Sequence, residues 1–129
     1  MPLERAVHAV ALALAPLQMS QAEAHVLARL AHGPAGVGDL HRAFGHKRST
    51  LTAVLDRLEQ RGYVRRTPDP HDRRSVVVSL TAEGKPAARR VRRAVTELER
   101  RILAGCSPED LGGFARVVDY VTSIASPNE

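Results

Sequence analysis

Residues 48–66 read RSTLTAVLDRLEQRGYVRR, and residues 69–84 read DPHDRRSVVVSLTAEG. Apolar side chains recur every three or four positions in the first stretch, at Leu51, Val54, Leu55 and Leu58. This period predicts a helix from about Lys47 to Arg61 with one buried face. Gly62 is a common type of residue just past a helix end, so the helix is expected to stop there.

The period changes after this helix. Residues 63–67 and 75–80 are rich in β-branched and aromatic residues, which favours two strands. The segment between them, residues 68–72, has the sequence Pro-Asp-Pro-His-Asp, which is typical of a turn. The two stretches together predict a helix followed by a basic β-hairpin.

Three helices are predicted upstream. The first covers Leu3 to Ala15 and is apolar on most sides. The second begins at the capping box Ser20-Gln21-Ala22-Glu23 and ends before Gly33-Pro34. The third is short, from Val37 to Phe44, and three of its side chains are expected to face inward: Leu40, Ala43 and Phe44.

Two helices are predicted downstream. Thr81 caps a long helix from about Ala82 to Ala104, with an apolar stripe at Val91, Val95, Leu98 and Ile102. Ser107 caps the last helix, which has Pro108 in its first turn and acidic residues near its positive end. Its apolar stripe runs along Leu111, Phe114, Val117, Val118, Val121 and Ile124.

This order of elements predicts a mainly α (α+β) fold, a winged helix-turn-helix with N- and C-terminal dimerisation helices. We expect one domain over residues 1–129. Its DNA-binding part covers residues 20–84, and its helical dimerisation part covers residues 1–16 and 82–126. The terminal helices have more apolar surface than one short chain can cover, which favours a homodimer.

The charge distribution indicates a polyanionic partner. The net charge is +5. Positive charge is concentrated between Arg42 and Arg74 and again between Lys85 and Arg101, each with a net charge of +5. Such blocks attract nucleic acid, although a solvated helix face is the alternative for the second block. Aromatic residues make up only 3% of the chain, which argues against single-strand binding by base stacking.

The candidate DNA-binding residues lie on the predicted recognition helix and at the tip of the hairpin. The helix start can present five polar side chains to the major groove: Lys47, Arg48, Ser49, Thr50 and Thr52. Arg73 and Arg74 are placed to enter the minor groove, and Asp72 is placed to hold a neighbouring arginine by a charge-assisted hydrogen bond.

Other interpretations of these residues remain open. Lys47 and Arg48 are alternatively solvated surface charges, and Ser49 alternatively caps its helix. Arg57 either contacts a phosphate or pairs internally with Asp56, Glu59 or an acidic residue of the wing.

Residues 48–66 and 69–84 closely resemble the MarR family of bacterial regulators. The second stretch resembles that family's wing signature, an Asp-x-Arg followed by a strand and Leu-Thr-x-x-Gly. The resemblance implies a homodimer on a pseudo-palindromic double-stranded DNA operator, often released by a small anionic or phenolic effector. It also implies that Arg74 is the wing-tip arginine, that Asp72 is its buttress, and that residues 48–52 face the bases.

The sequence departs from the family pattern in three places. The first helix is shorter than usual, Lys47 stands where the family often has a Ser or Thr cap, and His46 stands where it often has an apolar residue. These departures predict a smaller contribution of the first helix to the dimer and a looser or more basic start of the recognition helix.

Several functions are disfavoured. No nucleophile–base group, Gly-rich phosphate loop or catalytic carboxylate pair occurs, so neither an enzyme nor a cofactor is expected. The six histidines form no compact ligand set, so no metal is expected, and Cys106 does not match the family's peroxide sensors. No apolar run is long enough to span a membrane and no basic signal-peptide region precedes the first helix, which predicts a cytoplasmic protein.

Two other functions remain alternatives to a sequence-specific regulator. One is a nonspecific architectural DNA-binding protein, and the other is a winged-helix protein-interaction module. The sequence identifies no ligand-binding residues for an effector.

Overall fold

The computed structural model describes residues 2–45 and 47–125. The elements follow the order α1 (Pro2–Leu14), α2 (Gln21–Leu30), β1 (Ala35–Gly36), α3 (Val37–Phe44), α4 (Arg48–Gln60), β2 (Val64–Asp69), β3 (Asp72–Leu80), α5 (Gly84–Gly105) and α6 (Pro108–Ala125). A 3-10 helix, Ala15–Leu17, follows α1. The predicted order of helices and strands is confirmed, and β1 is an addition to it.

The three strands form one antiparallel sheet in the order β1-β3-β2. Strands β2 and β3 form the wing hairpin. Both continue into the segment predicted as a turn, because β2 ends at Asp69 and β3 begins at Asp72. Pro68 fits in β2 because this is an edge strand, where a residue without an N–H is tolerated.

The chain divides into two compact units, Met1–Val95 and Thr96–Glu129. The core of the first unit is built from α2, α3, α4, the sheet and the start of α5. The predicted stripe of α4 is confirmed, because Leu51, Val54, Leu55 and Leu58 are all at most 2% exposed. The inward placement of Ala43 is wrong: the short α3 buries Leu40, and Ala43 is exposed.

Capping side chains define the helix starts as predicted. The Ser20 hydroxyl accepts a hydrogen bond from the Glu23 backbone N–H at 3.1 Å. The Thr81 hydroxyl accepts one from the Gly84 N–H at 3.0 Å. Ser107 and Asp110 cap α6 reciprocally, each side chain accepting from the other residue's N–H. These bonds satisfy N–H groups that have no partner inside their helix.

Gly84 is required by a close approach of the start of α5 to the wing. A Cβ at this position would lie 1.9 Å from the Tyr63 carbonyl oxygen. The Thr81 N–H donates to the same oxygen at 3.0 Å, and the Thr81 hydroxyl donates to the Gly62 carbonyl. The Leu-Thr-x-x-Gly pattern thus fastens the end of β3 to the start of β2.

In the second unit, α6 exposes most of its apolar stripe. Phe114, Val117, Val118, Val121 and Ile124 are between 42% and 65% exposed. They recur every three or four residues and therefore lie on one helix face. A continuous apolar face of this kind is normally covered by another surface.

Candidate nucleic-acid interface

The recognition helix α4 presents a polar face beside its buried one. Arg48, Ser49, Thr50 and Thr52 are exposed, while Leu51 between them is 2% exposed. The buried stripe therefore fixes the rotation of the helix and turns these polar side chains outward. An α-helix is narrow enough for its exposed side chains to reach base edges in the major groove.

The start of α4 has no side-chain cap. Lys47 occupies the N-cap position and makes no capping hydrogen bond, in agreement with the departure from a Ser or Thr cap. Ser49 makes no hydrogen bond to the described residues, so it does not act as the cap. Backbone N–H groups of the first turn are left for water or for an anion such as a phosphate.

The Thr52 hydroxyl already donates its proton within the helix, to the Arg48 carbonyl at 2.9 Å. The oxygen can still accept a hydrogen bond, and the methyl group belongs to an exposed side chain. Thr52 can therefore accept from an adenine or cytosine amino group, or contact a thymine methyl group.

The wing tip is shaped by aspartates that accept hydrogen bonds from the backbone. Asp72 Oδ1 accepts from the Arg74 N–H at 3.0 Å, and Asp72 Oδ2 accepts from the Ser75 hydroxyl at 3.2 Å. Asp69 Oδ1 accepts from the His71 N–H at 2.8 Å. These are local turn bonds of the kind that Asp side chains often form.

Asp72 was expected to hold an arginine side chain, but it contacts Arg74 through the backbone N–H. Among the described residues, Asp72 makes no ion pair with the guanidinium of Arg73 or Arg74. In a tight turn, the backbone N–H two residues after an Asp lies nearer to the carboxylate than the guanidinium at the end of an arginine side chain does. Asp72 therefore fixes the path of the chain at Arg74 and leaves its guanidinium exposed.

A groove of about 610 Å³ joins the recognition helix to the wing. Arg48 and Thr52 line it from α4, Arg74 lines it from the wing, and Asp39 and Arg42 line it from α3. We call it the recognition groove. Lys47, Ser49, Thr50, Arg57 and Arg73, also predicted to bind DNA, do not line it.

Arg57 is paired internally, but with a partner that the sequence did not suggest. Its Nε donates to Glu23 Oε1 of α2 at 3.1 Å, and Arg61 Nη1 donates to Glu23 Oε2 at 3.2 Å. The Glu23 side chain is 9% exposed, and that of Arg57 is 51% exposed. The expected partners Asp56, Glu59 or a wing acid are therefore wrong, while half of the Arg57 side chain still faces solvent.

Arg66 ties the wing to the other side of the recognition helix. Its Nε donates to Glu59 Oε2 at 2.7 Å, and its Nη2 donates to Asp56 Oδ1 at 2.6 Å. The hydrogen bond to Glu59, and to a smaller extent the one to Asp56, raises the pKa of Arg66 above its usual value. The Arg66 guanidinium in this ion pair therefore stays charged. Ion pairs thus join α4 both to α2 and to β2. Neither of these ion pairs was predicted from the sequence.

The sequence also raised a metal site, His46 and Cys106 as candidates. Within residues 2–45 and 47–125, no three His, Cys, Asp or Glu side chains are arranged to hold a metal ion. His46 lies outside the described residues. Cys106 is exposed between α5 and α6. In the described part of the chain, no helix is both long and apolar enough to cross a bilayer.

A helix-turn-helix followed by a two-stranded wing defines the winged helix-turn-helix class of proteins. The sequence model of the MarR family matches residues 19–76, which include α2, α3, α4 and most of the wing. A curated relative, the uncharacterized HTH-type transcriptional regulator YfiV of Bacillus subtilis, is 39% identical over 95 residues, 73% of the length of this chain. Residues 19–76 thus match the MarR family.

A second curated relative agrees with this assignment. The chain is 52% identical over 62 residues, 48% of its length, to the HTH-type transcriptional regulator PecS of Dickeya dadantii. The matches span 37% of PecS and 59% of YfiV, so the chain covers about half the length of these relatives.

A solved structure extends the likeness to nearly the whole chain. A mutant MarR of E. coli complexed with operator DNA is similar with a TM-score of 0.76 and 25% identity, over 94% of each chain. The first two of these proteins are named as transcriptional regulators, and the third was solved bound to operator DNA.

Proposed function

We propose that this chain is a sequence-specific regulator of transcription that binds duplex DNA as a homodimer. In the proposal it acts as a repressor on a pseudo-palindromic operator and is released by a small anionic or phenolic effector. The observation that carries the proposal is the recognition groove, where Arg48 and Thr52 of the recognition helix and Arg74 of the wing line one surface.

The chemistry of these three residues suits a base-reading surface. The Arg48 guanidinium can donate two hydrogen bonds to guanine O6 and N7, and Thr52 can distinguish bases through its free lone pair and methyl group. Arg74, on a thin hairpin, can enter the adjacent minor groove, where the negative potential is deepest over narrow A·T-rich stretches. Lys47, Ser49, Thr50, Arg57 and Arg73 then contact phosphates around this centre.

The apolar face of α6 supports the homodimer. A twofold dimer matches two recognition helices to successive major grooves about 34 Å apart, so the operator repeats its half-site in inverted orientation. Each phosphate that the basic residues neutralise releases condensed counterions, and affinity therefore falls steeply with salt.

Selection of bound sequences from a random duplex pool at fixed salt tests the proposal. We expect enrichment of an inverted repeat with half-site centres about 10 base pairs apart. A double variant, Arg48→Ala with Arg74→Ala, is the matched control and should enrich no sequence. Binding without enrichment would support an architectural protein, and absence of binding would support a protein-interaction module.

A further inference from the structure

The first half of α5 carries a block of positive charge outside the recognition groove. Five cations lie close together in this helix, and all of them are exposed: Lys85, Arg89, Arg90, Arg92 and Arg93. We call them the α5 basic block. None of them lines the recognition groove. No acidic residue occurs between Glu83 and Glu97, so the chain itself does not interrupt this block with negative charge.

The core fixes the rotation of this part of α5. Ala87, Ala88 and Val91 are at most 2% exposed, and their spacing of three and four residues places them on one side of the helix. The cations occupy the positions between these buried residues and therefore point away from the core. A lipid surface fits this face poorly, because the alanines and the valine of the segment are already buried.

The cations of the α5 basic block have no anionic partner. Among the described residues none of them forms an ion pair. Several are three or four positions apart, such as Arg89 and Arg93, and like charges at this spacing repel one another on a helix. In the second half of α5 acidic residues alternate with basic ones, and Arg100 pairs with Glu97 at 2.7 Å. A bound anion would relieve the repulsion in the first half.

The length of the α5 basic block favours an extended polyanion over a small ion. Lys85 and Arg93 are about 12 Å apart along the axis, at 1.5 Å per residue. Duplex DNA carries one negative charge per about 1.7 Å of its axis, so an equal length presents about seven. No aromatic residue occurs in α5, which leaves no platform for the stacked bases of a single strand. The block therefore fits the phosphates of a duplex, without reading its sequence.

The wing separates the α5 basic block from the recognition groove. Arg74 lines the recognition groove, and β3 ends at Leu80, six residues or about 20 Å farther along the strand. Helix α5 begins only after this point, at Gly84. Since the two surfaces share no residue and lie at opposite ends of β3, we expect the phosphates at α5 to belong to another duplex segment.

We propose that the α5 basic block is a second DNA-binding surface, which holds the phosphate backbone of a separate duplex segment while the recognition groove holds the operator. The proposal goes beyond the proposed function, because a protein with both surfaces bridges two segments of DNA. The second contact is independent of sequence. It weakens steeply with salt, because each neutralised phosphate releases condensed counterions.

A bridging assay with the full chain tests the proposal. Operator duplex is fixed on beads, saturated with protein and incubated with a labelled duplex of random sequence at low salt. We expect the wild type to retain the labelled duplex. Arg89→Gln with Arg93→Gln should weaken this retention about tenfold and lower its salt slope by about two.

The matched control is Arg100→Gln with Arg101→Gln, which removes the same charge from the second half of the same helix. It should retain the labelled duplex as the wild type does. Thermal unfolding of both double variants should match that of the wild type, since all four arginines are exposed. Equal losses of retention in the two variants, or no retention by the wild type, would overturn the proposal.

Operator affinity, measured alone at physiological salt, distinguishes the two surfaces. The variant Arg89→Gln with Arg93→Gln should bind a short operator duplex within about twofold of the wild type, because exposed charges this far away are screened. If operator affinity falls as much as retention does, the block contacts the operator itself and the idea of a separate segment is wrong.

A last measurement keeps the α5 basic block testable if the protein recognises no operator, in which case the proposed function fails. Arg48→Ala with Arg74→Ala disables the recognition groove, and this variant should still bind random duplex at low salt. Adding Arg89→Gln and Arg93→Gln should weaken that binding about tenfold. Binding that does not change on this addition would refute the second surface.

Discussion

Glu23 of α2 and Arg57 of α4, which are 34 residues apart in the chain, are joined by a hydrogen bond of 3.1 Å from Arg57 Nε to Glu23 Oε1. Arg61 donates from one nitrogen to both Glu23 Oε2, at 3.2 Å, and the Gln18 carbonyl, at 2.8 Å. Its guanidinium also lies 5.0 Å from the centre of the Tyr63 ring. A single buried carboxylate therefore fixes the second half of the recognition helix against α2 and the segment before it.

Replacing this carboxylate should loosen the recognition helix. Glu23→Gln keeps the shape but removes the charge and sets an amide NH2 against the guanidinium groups. We expect the free energy of unfolding to fall by about 1–3 kcal/mol, toward the lower end because Arg57 is half-exposed. Urea denaturation measures this.

Glu99→Gln is the control for that variant. Glu99 is exposed on α5 and makes no ion pair with the described residues, so its change should alter stability by less than about 0.5 kcal/mol. Equal losses for the two variants would mean that the Glu23 network contributes nothing specific.

The close approach of Gly84 to Tyr63 predicts a second loss of stability. Gly84→Ala places a methyl group against the Tyr63 carbonyl, so either α5 or the wing must move. We expect a cost of about 1–3 kcal/mol, as for other overpacked sites, measured as a lower midpoint of thermal unfolding. Gly105→Ala should change the midpoint little, because a Cβ there meets nothing within 4 Å. A Gly84→Ala protein as stable as the wild type would contradict the steric account.

These interactions mark the limit of what the sequence predicts. Local patterns were sufficient for the α4 stripe, the capping box at Ser20 and the hairpin, because each depends on residues a few positions apart. Strand β1 has only the residues Ala35 and Gly36, too few for a period to be recognisable. The partner of Arg57 could not be found locally, since the fold brings Glu23 to it from another helix.

Some features of the candidate site could be predicted from local sequence, and others could not. The outward position of residues 48–52 followed from the buried stripe of α4. The bond from Asp72 to the Arg74 backbone depends on the conformation of the turn, which the sequence restricts only in part. The clamp of Arg66 on Asp56 and Glu59 depends on how the wing packs against α4.

The exposed face of α6 predicts the assembly. We expect the wild type to sediment as a dimer at micromolar concentration, about twice the 14.0 kDa of one chain. Val121→Glu, in the middle of this face, should shift it toward the monomer because a carboxylate would be buried without a partner. Arg116→Glu introduces the same group on the other side of the helix and should leave the dimer intact. A monomeric wild type would contradict the homodimer proposal.

The exposed guanidinium of Arg48 predicts base readout. Arg48→Ala should weaken operator binding by about 1–3 kcal/mol per half-site and relax the preference at one base position. Lys47→Ala is the comparison: as a phosphate contact it should weaken specific and random DNA alike and lower the salt slope by about 1. If Arg48→Ala weakens both kinds of DNA equally, Arg48 also contacts only a phosphate.

The two exposed arginines at the wing tip are expected to contribute unequally to DNA binding. Arg74 lines the recognition groove and Arg73 does not. Arg74→Ala should therefore weaken operator binding by about 1–3 kcal/mol per half-site, and more than Arg73→Ala does. Neither change should alter stability or the dimer, because an exposed hairpin tip contributes little to the core. Titrations of one operator at fixed salt measure the difference.

Asp72 supplies the sharper test, because its charge and its hydrogen bonds act on DNA binding in opposite directions. Asp72→Ala removes the acceptor for the Arg74 N–H, frees the turn and should weaken operator binding, although a negative charge is lost. Asp72→Asn also removes the charge but keeps Oδ1 as an acceptor, so it should bind at least as tightly as the wild type. Simple charge counting instead predicts tighter binding by both variants. An Asp72→Ala protein that binds the operator more tightly than the wild type would therefore refute the positioning role of Asp72.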